Sequence, residues 1–104
     1  MDRIATLKSF ISRSPKEPFP RYGLAMEYKN RGELAEAWSV FSELMQEFPD
    51  YVPTYLMAGG ILTALHRKDE AMSVYRQGIE VATRSGDQHA RRELESALAE
   101  LAPA

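Results

Sequence analysis

Acid–base or metal chemistry near neutral pH would have to begin with His66 and His89, the two histidines of this 104-residue chain. His89 stands four residues before Glu93, so both fall on one face of a helix, where a histidine and a carboxylate can share a cation. No third ligand lies near them in sequence, and the metal reading is set aside. The chain has no cysteine, which excludes disulfides, thiolate metal sites and a thiol nucleophile. Neither a Gly-rich phosphate loop nor an HExxH or GxSxG pattern is present. Serines, histidines and aspartates form no constellation distinguishable from chance. No catalytic residue, metal or cofactor is expected, and the chain does not read as an enzyme.

His66 has a simpler explanation, and it leads to the elements that place it. Gly32-Glu33-Leu34-Ala35-Glu36-Ala37-x3-Phe41 matches His66-Arg67-Lys68-Asp69-Glu70-Ala71-x3-Tyr75 at an offset of 34 residues. A fixed offset of this length means two copies of one helical hairpin that bury each other's apolar faces. Gly32 can supply a positive φ in a tight turn, and histidine is among the non-glycine residues enriched there. His66 therefore reads as a turn residue.

Ile4, Leu7, Phe10 and Ile11 recur at helical spacing before Pro15. Advanced by the same offset they fall on Trp38, Phe41, Leu44 and Met45, so this segment is a second helix without its first. The next helix runs from about Arg21 to Lys29, and its partner spans Glu33 to Glu47, where Pro49 stops it. Asp50 is the expected cap of a helix over Pro53 to Leu65, with Pro53 in its first turn. Another follows from about Asp69 to Arg84. Ser85-Gly86-Asp87 reads as a glycine stop and a new N-cap. A last helix, Gln88 to Leu101, ends before Pro103. Six helices without a strand signal make the chain all-α.

Hydrophobic residues at 44% and charged residues at 27% are those of a folded domain. A net charge of −2 gives no reason to approach nucleic acid or an anionic membrane. The longest apolar run, Tyr55 to Leu65, is too short to span a bilayer, and Met1-Asp2-Arg3 opens no signal core. These features predict a cytoplasmic protein whose fold rests on packing. The acidic face of Glu33, Glu36, Glu43 and Glu47 reads as solvated surface.

The spacings resemble the tetratricopeptide repeat pattern W-x2-L-G-x2-Y, A-x3-F, P. Repeat one offers Arg21-x2-Leu24-Ala25-x2-Tyr28, Ala37-x3-Phe41 and Pro49; repeat two offers Tyr55-x2-Ala58-Gly59-x2-Leu62, Ala71-x3-Tyr75 and Thr83. The resemblance implies a right-handed α-solenoid of about two and a half hairpins in one domain, 1–104. Within it lie a half-repeat helix (1–15), repeat one (18–51), repeat two (52–85) and a capping helix (87–102). Ala25 and Gly59 fall where a hairpin's helices approach most closely, facing Ala37 and Ala71. Thr83 in place of proline implies a longer helix than its counterpart.

In the resembled family the first helices of successive repeats line a concave groove that receives a peptide. Carried over by position, that groove contains Phe19, Tyr22, Met26, Lys29 and Asn30, then Leu56, Met57, Gly60, Thr63 and Ala64. Met26 and Gly60 stand where relatives that clamp a C-terminal carboxylate place asparagines, which argues against such a clamp. Tyr22 and Met26 fit either partner contact or packing. In the last helix Arg92, Glu93 and Ser96 fall on water-facing positions, as in a cap. Its apolar residues, Ala90, Leu94, Ala97, Leu98 and Leu101, either rotate onto the preceding pair or extend the groove. The implied function is a non-catalytic adaptor that holds a short apolar peptide or helix of another protein. The alternative is a structural homo-oligomer, such as a homodimer, using the same face.

Overall fold

A computed structural model describes residues 2–102. Met1, where the sequence opens without a signal core, and Pro103, the expected stop, lie outside the described residues. The described chain forms α1 (Arg3–Arg13), α2 (Pro18–Asn30), α3 (Leu34–Glu47), α4 (Pro53–Ala64), α5 (Lys68–Ser85) and α6 (Gln88–Leu101). No strand occurs among the described residues. Each helix packs on the next, and α6 also reaches α4. The result is a helical solenoid of hairpins, 47 × 29 × 19 Å, with α2–α3 and α4–α5 as its complete repeats. No helix among the described residues is long and apolar enough to cross a membrane.

The turns repeat atom for atom. Gly32 has φ 77° and His66 has φ 61°, both left-handed. In the first turn Gly32 N–H donates to Lys29 (3.0 Å) and Glu33 N–H to Tyr28 (2.9 Å). Thirty-four residues later His66 N–H donates to Thr63 (3.0 Å) and Arg67 N–H to Leu62 (2.9 Å). His66 is thus a turn residue, held in a conformation that costs an L side chain roughly 1–2 kcal/mol.

Helix ends follow local chemistry. Pro18 and Pro53 both sit in first turns, where a missing N–H costs little, so α2 begins at Pro18 and not at Arg21. Asp50 does not cap α4: Val52 holds the cap position without a side-chain bond, and Asp50 Oδ1 meets Arg84 Nη2 at 3.1 Å. Lacking a counterpart of Pro49, α5 runs 18 residues against 14 for α3. Gly86, at φ 76°, ends it. Asp87 then caps α6, its side chain accepting from Ala90 N–H at 3.0 Å.

The core lies along the hairpin seams. Ala25, Ala37, Phe41, Leu44, Ala58, Leu62 and Ala71 have no solvent exposure. Full burial of Phe41 or Leu44 contributes about 1.5–3 kcal/mol each. Gly59 is required by a different neighbour from the one its spacing suggests: a Cβ there would overlap the Tyr75 ring, with Tyr75 Cδ1 2.7 Å away.

The first helix is the weakest member. It buries no residue fully, and Phe10 remains 47% exposed, whereas its counterpart Leu44 is enclosed. Among the described residues no first-type helix precedes α1 to cover this face. A charge cluster pins its start: Arg31 reaches Asp2 (2.7 Å) and Glu27 (3.0 Å), and Arg3 reaches Glu27 (2.9 Å). The Arg31 hydrogen bond holds the Asp2 carboxyl below its ordinary pKa.

Candidate binding groove

The alternation of hairpin helices puts α2, α4 and α6 on one side of the stack. Between them lies a cavity of about 240 Å³. Tyr22 from α2, Leu56 and Met57 from α4 and Leu94 from α6 form its apolar walls, with Val52, Pro53 and Ala90 completing them. Asp87, His89 and Glu93 supply its polar edge, and His89 Nε2 lies 3.1 Å from Glu93 Oε1.

Tyr22 both packs and lines the cavity. Its ring meets Phe41 edge-on at 6.0 Å and Tyr51 edge-on at 5.8 Å, fixing one side while the other faces the cleft. Burial, reinforced by nearby Tyr51, pushes the Tyr22 phenol above its ordinary pKa, so it stays neutral through the physiological range.

Of the residues placed on this face by sequence, Tyr22, Leu56, Met57 and Leu94 come together in the cavity. Met26 is half-buried against the core, outside that cavity. Lys29, Asn30, Gly60, Thr63 and Ala64 are exposed beyond it, and Phe19 stands 69% exposed. A Cβ at Gly60 would meet nothing within 4 Å, so α4 carries an open dent there. The Thr63 hydroxyl donates to Gly59 C=O at 2.9 Å.

Helix α6 settles between the two arrangements its sequence allows. Leu94 is 1% exposed and sits over Gly78, where a Cβ would come 3.1 Å from Leu94 Cδ1 and 3.0 Å from Tyr55 Cγ. Ala90, Ala97, Leu98 and Leu101 pack against the core, while Arg92, Glu93 and Ser96 are exposed. The apolar stripe has therefore turned onto the preceding hairpin. Leu94 belongs to the core and shows the cleft only an edge. The same turn brings His89 and Glu93 to the rim, a placement that strict repeat register does not give. Their position beside Ala90 and Leu94 was the available signal.

Among the described residues no group of three or more His, Asp or Glu side chains could hold a metal. The site offers shape and apolar surface with a charged margin: it can bind.

The tetratricopeptide repeat domain protein of Salinibacter ruber, solved in solution, superposes with a TM-score of 0.80 and 40% identity over 85% of this chain and 89% of that one. This chain belongs to the tetratricopeptide repeat family. The crystal structure of the Salinibacter ruber domain agrees, with a TM-score of 0.78 and 40% identity over 82% of this chain and 96% of that one. The tetratricopeptide TPR2B domain of yeast Sti1, solved in a complex with pHsp70, shares the fold at a TM-score of 0.87. It is 13% identical over 94% of this chain and 78% of that one. No family model matches the sequence, and no curated protein matches it. Tetratricopeptide fold and family together are those of a protein–protein interaction module.

Proposed function

We propose that this tetratricopeptide domain is a non-catalytic adaptor that holds a short apolar peptide or helix of another protein in the groove formed by α2, α4 and α6. The observation that carries the reading is the cavity walled by Tyr22, Leu56 and Met57, which the described residues line but do not fill. Its volume suits one anchoring side chain, the usual way a groove grips an amphipathic segment. The Sti1 domain shows the same fold in a complex, which supports the reading by analogy. The test is capture of partners from native cells by the domain and by Leu56→Asp. Exposed Glu43, on α3, supplies the control as Glu43→Lys. Loss with Leu56→Asp alone is expected; equal capture by all three proteins would remove the groove from consideration.

A second reading, self-association, draws on the exposure of Phe10 and Phe19. Charged residues on α1 and α6 oppose head-to-tail stacking of copies. Arg3 stands where Ala37 and Ala71 sit in complete hairpins, and Arg92 and Glu93 replace Ala58 and Gly59. Light scattering across micromolar concentrations separates this reading from the first.

A further inference from the structure

We propose that the segment held in this groove presents one large apolar side chain flanked by lysine or arginine, so that the bases meet Asp87, the N-cap of α6, and Glu93 in its second turn. The inference rests on the groove reading above and names the chemistry of the partner. The cavity, about 240 Å³, lies below the usual range of small-molecule sites, about 300–1,000 Å³. It is of the order of one large side chain, which makes an anchor residue the natural occupant. Its floor is apolar, and its charged margin is one-sided: Asp87 and Glu93 are present, with neither lysine nor arginine among the lining residues. His89 is the one base there, spaced 3.1 Å from Glu93. In the adjoining hollow Glu100 adds another carboxylate, and Arg92 lies 3.5 Å from Gln88 Oε1.

Spacing supports the same partner. Asp87 and Glu93 stand six residues apart, roughly 9 Å along the helix axis. A partner helix with bases three residues before and three after its anchor spans the same distance. The anchor then drops between Tyr22 and Leu56 while a base reaches each carboxylate. An acidic segment meets repulsion at both points.

The test uses three fluorescein-labelled alanine-based helices of about 15 residues, each with a central tryptophan. They carry lysine, glutamine or glutamate three residues to either side of it. Anisotropy titrations use the whole chain. The lysine helix is expected to bind about tenfold tighter than the glutamine helix and the glutamate helix weakest, with the gap closing at about 0.5 M salt. Glu93→Lys, at an exposed position, should reverse the order. Leu56→Asp, checked for helicity by circular dichroism, should abolish binding of all three. Equal binding of the lysine and glutamate helices, an order unchanged by Glu93→Lys, or no binding by any helix overturns the basic partner. In the first two cases the groove reading survives if Leu56→Asp still removes binding, and it fails with the proposal if Leu56→Asp binds normally. Self-association broken by both Phe10→Asp and Glu93→Lys would also overturn the proposal. The occupant would then be the basic helix α1 of a second copy.

Discussion

The ring of Tyr75 fills the space that a side chain at Gly59 would need: a Cβ there falls 2.7 Å from Cδ1 and closer still to the neighbouring ring atoms. The equivalent pair one repeat earlier is Ala25 and Phe41, both without exposure. The neighbouring glycine has no such constraint, since a Cβ at Gly60 points into open space. Gly59→Ala should therefore destabilise the domain by about 1–3 kcal/mol through overpacking. Gly60→Ala should stabilise it by roughly 0.5–1 kcal/mol through helix propensity. Urea unfolding of the two variants decides; a common sign for both would contradict the assigned packing.

His66 and Gly32 share one turn geometry at different conformational cost. Replacing His66 by glycine should raise stability by about 0.5–1 kcal/mol, and His66→Val should lower it. Thermal melts provide the measurement. A loss of stability in His66→Gly would mean that the imidazole makes a contact the turn geometry does not need.

Helix α6 depends on the missing side chain at Gly78. Leu94→Ala should cost about 2–5 kcal/mol by leaving a hole over that glycine. Gly78→Leu, which restores the residue type of Leu44, should push α6 off its seat. Hydrogen exchange would show this as faster exchange of α6 amides, with α2 and α3 still protected.

An exposed ion pair, Arg31 with Asp2, adds to the apolar seat of α1. Because Arg31 lowers the folded-state pKa of Asp2, the stabilisation is present above the carboxyl's ordinary pKa. It fades as pH falls through the lowered value. Acidification should therefore speed amide exchange in α1 before the hairpins open, and Asp2→Asn should reproduce that effect at neutral pH. Unchanged exchange in α1 would assign its docking to Ile4, Leu7 and Ile11 alone.

Repeated elements were legible in sequence because each residue reports twice. The matching turns at Gly32 and His66, the small residues at Ala25 and Gly59 and the extra length of α5 all follow from comparing positions 34 apart. The ends were less legible for the same reason. Asp50 looks like a cap in isolation, yet it bonds to Arg84 of the following repeat, a tertiary contact that no local pattern announces. Strict register likewise leaves His89 and Glu93 off the groove. The rotation of α6 is set by the apolar surface of the preceding hairpin and the opening at Gly78. Tyr22 and Leu56 fell in the groove because they lie within the intact part of the period.

The most direct measurement is a map of backbone amide shifts in the labelled domain as a bound partner segment is titrated in. Changes are expected to concentrate at Tyr22, Leu56, Met57, Ala90 and Glu93, on one side of the stack. Changes gathered instead around Glu36, Glu43 and Arg76, with the cleft residues silent, would contradict the groove reading.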